Sequence, residues 1–153
     1  MPLWESLEHQ IAVSVRTTDL LFSKIRHNEL AHLGVTPAYV GVLHFAKKFD
    51  TPPTIIELRD AMNRGNSSMV GIINRMERDG LVMRQVDSES KKFTRVVITK
   101  KGEDLYEKAI QHNLFAVIIS ALPVEDRKIL SEYLDILCSE AKKVLARKDF
   151  TGN

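Results

Sequence analysis

The chain has 153 residues, of which 27% are charged and 44% hydrophobic, and it carries a formal net charge of +2. That length suits one domain-sized unit with a real core. One cysteine excludes an internal disulfide, the longest apolar stretch is too short to cross a bilayer, and Met1-Pro2-Leu3-Trp4-Glu5 lacks the pattern of a secretory signal. A reducing cytoplasm is the expected location.

Taken in chain order, residues from Leu3 to about His32 contain no proline and predict one long helical stretch, straight or kinked. Thr36 caps and Pro37 opens the next, whose inward face is Tyr39, Val42, Leu43 and Ala46. Thr54 and Glu57 form a capping box, after which Ile55, Leu58 and Met62 recur at helical spacing. The chain turns through Asn63-Arg64-Gly65, and Asn66 or Ser67 is placed to cap the following helix. There Met69, Ile72, Ile73 and Met76 form a buried stripe, while Ser67, Ser68, Gly71, Asn74, Arg75 and Arg78 share the opposite face. Gly80 suits a left-handed stop.

Two β-rich runs follow, Leu81 to Val86 and Phe93 to Ile98. The segment Asp87 to Lys92 between them has no apolar residue and reads as a solvated tip. Its Lys91 and Lys92 suit phosphate or minor-groove contact, the alternative being an ordinary wet hairpin loop. Lys100 to Leu122 predicts a further helix, apolar on nearly every side from Leu114 to Ile119. Pro123 restarts the chain, and Leu130, Leu134, Leu137, Ala141 and Val144 give the last helix a near-heptad seam. The tail near Phe150 to Asn153 is the segment expected to be disordered.

The order helix, turn, helix, β-ribbon is a winged helix-turn-helix, which places a helix in a DNA major groove and a hairpin beside it. The fold class is mainly α with a small β component (α+β). Residues 35–102 form the winged unit, and residues 1–34 and 103–150 form a helical dimerisation region, because so much apolar helix exceeds what one small winged unit covers. A helical cap folded back on its own chain is the monomeric alternative. Charge is uneven: Met62 to Gly102 holds nine Lys/Arg against four Asp/Glu, net +5, while the remaining 13 basic and 16 acidic residues give −3. Positive charge therefore sits where a groove-reading element needs it.

The segment from Val35 to Glu107 resembles the DNA-binding domain of the MarR family of bacterial and archaeal transcription regulators. The residues that carry the resemblance are Thr36-Pro37, Thr54-Ile55-Ile56-Glu57-Leu58, Ser67-Ser68-Met69-Val70, Asn74-Arg75-Met76-Glu77-Arg78-Asp79-Gly80-Leu81-Val82 and Val96-Val97-Ile98-Thr99-Lys100-Lys101-Gly102. The resemblance implies a triangular homodimer that presents two reading helices to successive major grooves, about 34–36 Å apart, on a near-palindromic duplex.

Asn66, Ser67, Ser68, Asn74 and Arg75 are the groove candidates. Arg78, Arg84, Lys91, Lys92 and Arg95 are candidates for the sugar-phosphate backbone or minor groove. The chain departs from the family at the wing tip, where Ser90, Lys91 and Lys92 replace an Asp-x-Arg pattern, and lysine lacks the planar fork of arginine. It departs again at Gly71, which either permits close backbone approach to DNA or is a tolerated imperfection.

The resemblance also implies release by a small aromatic or phenolic ligand, with Trp4, His9, Arg16, His27, His32 and Tyr39 as candidates near the junction of the two regions. No catalytic motif is present, the five histidines are scattered, and neither cofactor nor metal is expected. Cys138 reads as a buried structural thiol, and Trp4 and the methionines as packing groups. The main expectation is a homodimeric repressor. A protein-docking module without DNA binding and the dimerisation domain of a separate enzyme are the alternatives.

Overall fold

A computed structural model describes residues 2–111 and 113–147 of the chain. The Phe150 to Asn153 tail and His112 lie outside the described residues. Ser6 ends a short 3-10 turn (Leu3–Glu5) and its hydroxyl accepts from the His9 amide at 3.2 Å, so helix α1 spans Leu7–Leu30. A second 3-10 turn, Ala31–Leu33, stops at Gly34 with φ 68. The single helical stretch expected from Leu3 to His32 is thus corrected to three pieces. A serine hydroxyl that satisfies a free amide sets the start, and a left-handed glycine sets the stop.

Helix α2 (Pro37–Ala46) has Pro37 in its first turn and Thr36 at the cap position, though the threonine side chain makes no capping bond. Helix α3 (Ile55–Ala61) carries the full capping box: the Glu57 amide donates to Thr54 Oγ1 at 3.2 Å and the Thr54 amide donates to Glu57 Oε2 at 2.7 Å. Helix α4 is Asn66–Arg78. Its cap is Gly65, not Asn66 or Ser67 as expected. The turn explains this: Asn63 takes the left-handed φ of 50 and Gly65 is already extended, so Asn66 is the first helical residue.

Strands β1 (Val82–Val86) and β2 (Thr94–Ile98) pair antiparallel, with Val82 opposite Ile98 and Val86 opposite Thr94. The segment before α3 lines the far side of β2: the Val96 amide donates to the Pro53 carbonyl at 2.7 Å, and Thr54 bridges Arg95.

The core sits among α2, α3, α4 and the ribbon. Val42, Leu43, Leu58, Met69, Ile73 and Met76 are fully buried in it. Each such side chain contributes about 1.5–3 kcal/mol relative to exposure. Helix α5 (Lys100–Gln111) closes one side. Thr99 starts it by accepting from the Gly102 amide at 3.1 Å while donating to the Gly80 carbonyl at 2.6 Å, which ties α5 to the end of α4. A second small cluster, Leu30, Val40 and Ala109, joins α1 to α2 and α5. There Arg26 donates to the Ala109 carbonyl at 3.0 Å.

The continuous helix expected from Lys100 to Leu122 is corrected to α5 and α6 (Leu114–Ile119). Asn113, non-helical just before α6, is a residue type that favours helix starts over interiors. The chain parts into two compact units between Asn113 and Leu114. In the second, Arg127 clamps the turn between α6 and α7 (Val124–Ala146), donating to the Leu122 carbonyl at 2.7 Å and the Ser120 carbonyl at 3.2 Å. No described residue of α7 is buried, and Leu130, Leu134 and Leu137 are 41%, 40% and 50% exposed. Cys138 is consequently exposed, a correction to the buried thiol expected, and so is Trp4. Among the described residues no helix is long and apolar enough to cross a membrane.

Candidate nucleic-acid interface

The burial of Met69, Ile72, Ile73 and Met76 turns the other face of α4 outward. Asn66, Ser67, Ser68, Asn74, Arg75 and Arg78 are exposed on it, with Gly71 half-buried between them. A methyl group built at Gly71 would meet only Arg75 Nη1, at 3.6 Å, so the glycine is not required by packing. Arg78 lies 3.6 Å from Asp79, whose carboxylate accepts from the Tyr39 hydroxyl at 3.2 Å. Burial first, then Asp79, raises the Tyr39 pKa above its ordinary value, and neighbouring Arg75 acts in the opposite direction.

Arg84 and Arg95, both expected to face DNA, are held by the protein. Arg95 crosses the wing to Asp87, with Nε at 2.9 Å and Nη2 at 2.8 Å from the same carboxylate oxygen, and it donates to the Pro52 carbonyl at 2.8 Å. It also lies 3.9 Å from Glu57 of the capping box. Arg95 thereby fastens the ribbon to the start of α3. The Glu89 amide, which donates to Asp87 at 3.0 Å, and the Arg95 guanidinium hold the Asp87 carboxyl below the usual carboxylate range. Arg84 of β1 is bound to Glu77 and to Asn74.

Lys91 and Lys92, by contrast, are exposed at the tip, and among the described residues neither forms an ion pair. The Asp87 amide donates to the Phe93 carbonyl at 2.9 Å and the Phe93 amide to the Ser90 carbonyl at 3.1 Å, which closes the tip into a defined turn. Two participants escaped the sequence reading. Glu77 had no assigned role, although Glu77 and Arg84 flank the Gly80 turn and are brought face to face by it. Arg64, exposed in the turn before α4, adds a cation beside the helix start.

The six residues named for a ligand do not converge within one chain. Trp4 and His32 lie at opposite ends of α1, whose 24 residues span roughly 36 Å. His9, Arg16 and His27 are exposed along that helix, and Tyr39 is in the core. A cavity of about 770 Å³ opens beside α5, with Leu33, Val35, Leu81 and Leu105 as apolar lining and Asp79, Asp104, Lys100, Lys101 and Lys108 as charged lining; Lys100 pairs with Asp104 at 2.7 Å and Lys101 donates to the Asp79 carbonyl at 2.7 Å. Of the six candidates, His32 lines it. Among the described residues no group of three or more His, Cys, Asp and Glu is placed to hold a metal ion.

An outward polar helix packed on a partner helix and followed by a pinned, lysine-tipped ribbon defines a winged helix-turn-helix. Residues 35–102 match the winged helix DNA-binding domain family. Beyond that segment, the chain has the fold of the MarR-family transcriptional regulators. AbsC, a MarR family regulator from Streptomyces coelicolor, superposes with a TM-score of 0.81 at 20% identity, covering 93% of this chain and 99% of that one. MepR from S. aureus, solved as a DNA complex, gives 0.76 at 17% identity over 84% and 96%. The organohalide-sensing regulator RdhR, solved with 2,4-dichlorophenol, gives 0.78 at 21% over 92% and 89%. No curated protein matches the chain in sequence.

Proposed function

We propose that the chain is a homodimeric, sequence-specific DNA-binding regulator that represses by occluding a promoter, with a near-palindromic operator. The observation that carries this reading is the exposed α4 face of Asn66, Ser67, Ser68 and Asn74 beside a wing whose tip lysines are uncommitted. The serines and amides reach base edges, and Lys91 and Lys92 neutralise phosphates. Arg75 and Arg78 supplement that charge. Arg95 serves as the strut of the wing.

Support for a dimer comes from exposed apolar surface on α1, α6 and α7. Leu7, Val117 and Tyr133 are 66%, 66% and 62% exposed, and monomeric proteins rarely leave such faces uncovered. Residues 1–34 and 103–150 form the dimerisation region in this reading. MepR was solved on DNA and RdhR with a phenol. By analogy, a small aromatic or phenolic ligand is the inducer, its ring on the apolar lining of the 770 Å³ cavity and its polar group beside His32 and Lys108.

Selection of bound fragments from random DNA by the purified chain, with sedimentation of the complex, tests the reading. The expected result is a two-fold related pair of half-sites bound by a dimer. A monomer with no preference for any duplex would sink it.

A further inference from the structure

Asn74 is a groove candidate whose orientation the protein itself sets. Arg84 of β1 donates through its backbone amide to Glu77 Oε1 at 3.1 Å, and its Nη1 donates to Glu77 Oε2. Its Nη2 donates to Asn74 Oδ1 at 2.6 Å. The chain of contacts leaves little freedom. Glu77 commits both carboxylate oxygens to one residue, so Arg84 is held at its backbone amide and at Nη1 before Nη2 reaches Asn74. The Arg84 and Glu77 side chains are 26% and 39% exposed, which keeps the pair partly shielded from solvent.

Amide orientation is normally ambiguous, because oxygen and nitrogen are alike in size. Here chemistry decides it. A guanidinium has five donors and no acceptor, so Asn74 must turn its oxygen toward Arg84 and its Nδ2 away. Asn74 is exposed, and among the described residues nothing accepts from Nδ2.

The geometry points to Glu77 and Arg84 as positioning residues that present Asn74 to DNA chiefly as a donor, selecting guanine over adenine at the base it meets. This rests on the DNA-binding reading given above. A free asparagine favours adenine, donating to N7 while accepting from N6. Arg84 already takes one of the two lone pairs of Oδ1, and its positive charge opposes a second donor there, so the bond from N6 is weakened. The two hydrogens on Nδ2 suit the adjacent N7 and O6 acceptors of guanine instead.

The test uses the full chain and the selected duplex, with each base pair of one half-site varied in turn. The unaltered chain is expected to prefer guanine at a single position that becomes indifferent to base identity in Asn74→Ala. Replacing that guanine with 7-deazaguanine, which lacks the N7 acceptor, is expected to weaken binding of the unaltered chain about five- to tenfold. Arg84→Met keeps the aliphatic stem but frees Oδ1. It is expected to lower the guanine-to-adenine ratio at that position about tenfold, with the other positions unchanged.

Adenine preferred by the unaltered chain at the Asn74 position overturns the inference. So does an Arg84→Met variant that weakens all duplexes equally, since that is the behaviour of a phosphate contact. The deazaguanine arm needs no variant, so a misfolded Arg84→Met chain does not shelter the proposal. Failure of the unaltered chain to select any duplex would instead overturn the DNA-binding reading, and this inference with it.

Discussion

Two glycines show how differently the same residue type is used. A methyl group at Gly102 would lie 2.2 Å from the Leu81 carbonyl oxygen and 2.9 Å from the Ile98 side chain. Backbone meets backbone there, so neither side can yield. Gly102→Ala should destabilise the chain by about 1–3 kcal/mol, read as a lower urea midpoint with the slope unchanged. At Gly71 the nearest atom to an added methyl is the end of a flexible arginine at 3.6 Å. Gly71→Ala should stabilise by about 1 kcal/mol through helix propensity alone. If DNA affinity falls despite that gain, close approach to DNA is the reason for the glycine, and the alternative left open by the sequence is resolved.

Asp87 makes a prediction of the same scale. Its folded pKa is depressed, so its ionised form contributes stability that is fully present above the unfolded value. That contribution is lost as pH falls through the lower, folded value, below about pH 4. In a titration followed by carboxyl carbon shifts, the Asp87 midpoint should lie below that of Asp87 in the Arg95→Met variant. Equal midpoints would remove the ion pair from the wing's support.

At the scale of elements, the wing divides its cations into two kinds. Arg95 is spent on Asp87 and the Pro52 carbonyl, whereas Lys91 and Lys92 remain in solvent. Lys91→Ala with Lys92→Ala should therefore weaken binding to all duplexes alike and reduce the slope of log affinity against log salt by about two per protomer. A slope that stays the same in gel-shift titrations at several salt concentrations would take the tip out of the interface.

This division was only half legible in the sequence. The absence of apolar residues from Asp87 to Lys92 announced a wet tip. Nothing in the local pattern announced that Arg95 would find Asp87 eight residues earlier, or that the Pro52-Pro53 segment would line β2. The α3 start was fully legible, because a capping box is closed by residues three apart. The α4 start was not: which of Gly65, Asn66 and Ser67 becomes the cap depends on the backbone of the turn, and the side chains alone favour the wrong residue.

For the whole molecule, the decisive surface is the one that stays open. Helix α7 runs for 23 residues, and none described is buried. A dimer that covers Leu134 and Leu137 should dissociate when both become glutamate, while the winged unit, whose core contains neither residue, keeps its fold. Analytical ultracentrifugation should show a monomer, and affinity for the two-half-site duplex should fall toward that for a single half-site. A dimer that persists in Leu134→Glu with Leu137→Glu would move the interface elsewhere. Cys138 belongs to the same surface, and its exposure follows from α7 as a whole, not from anything near the cysteine in sequence.

Periodicity, caps and turn residues, read from the amino acids by themselves, determined the winged order of elements, the stripe that α4 buries and the polar face it turns outward. These are short-range effects, acting over a few residues, so the chain states them directly. Which cations remain free, which way the Asn74 amide points and where the long helices break were decided only by the folded chain. Each depends on partners brought together across turns and strands, and the strength of an ion pair or hydrogen bond is a property of that meeting and not of either residue.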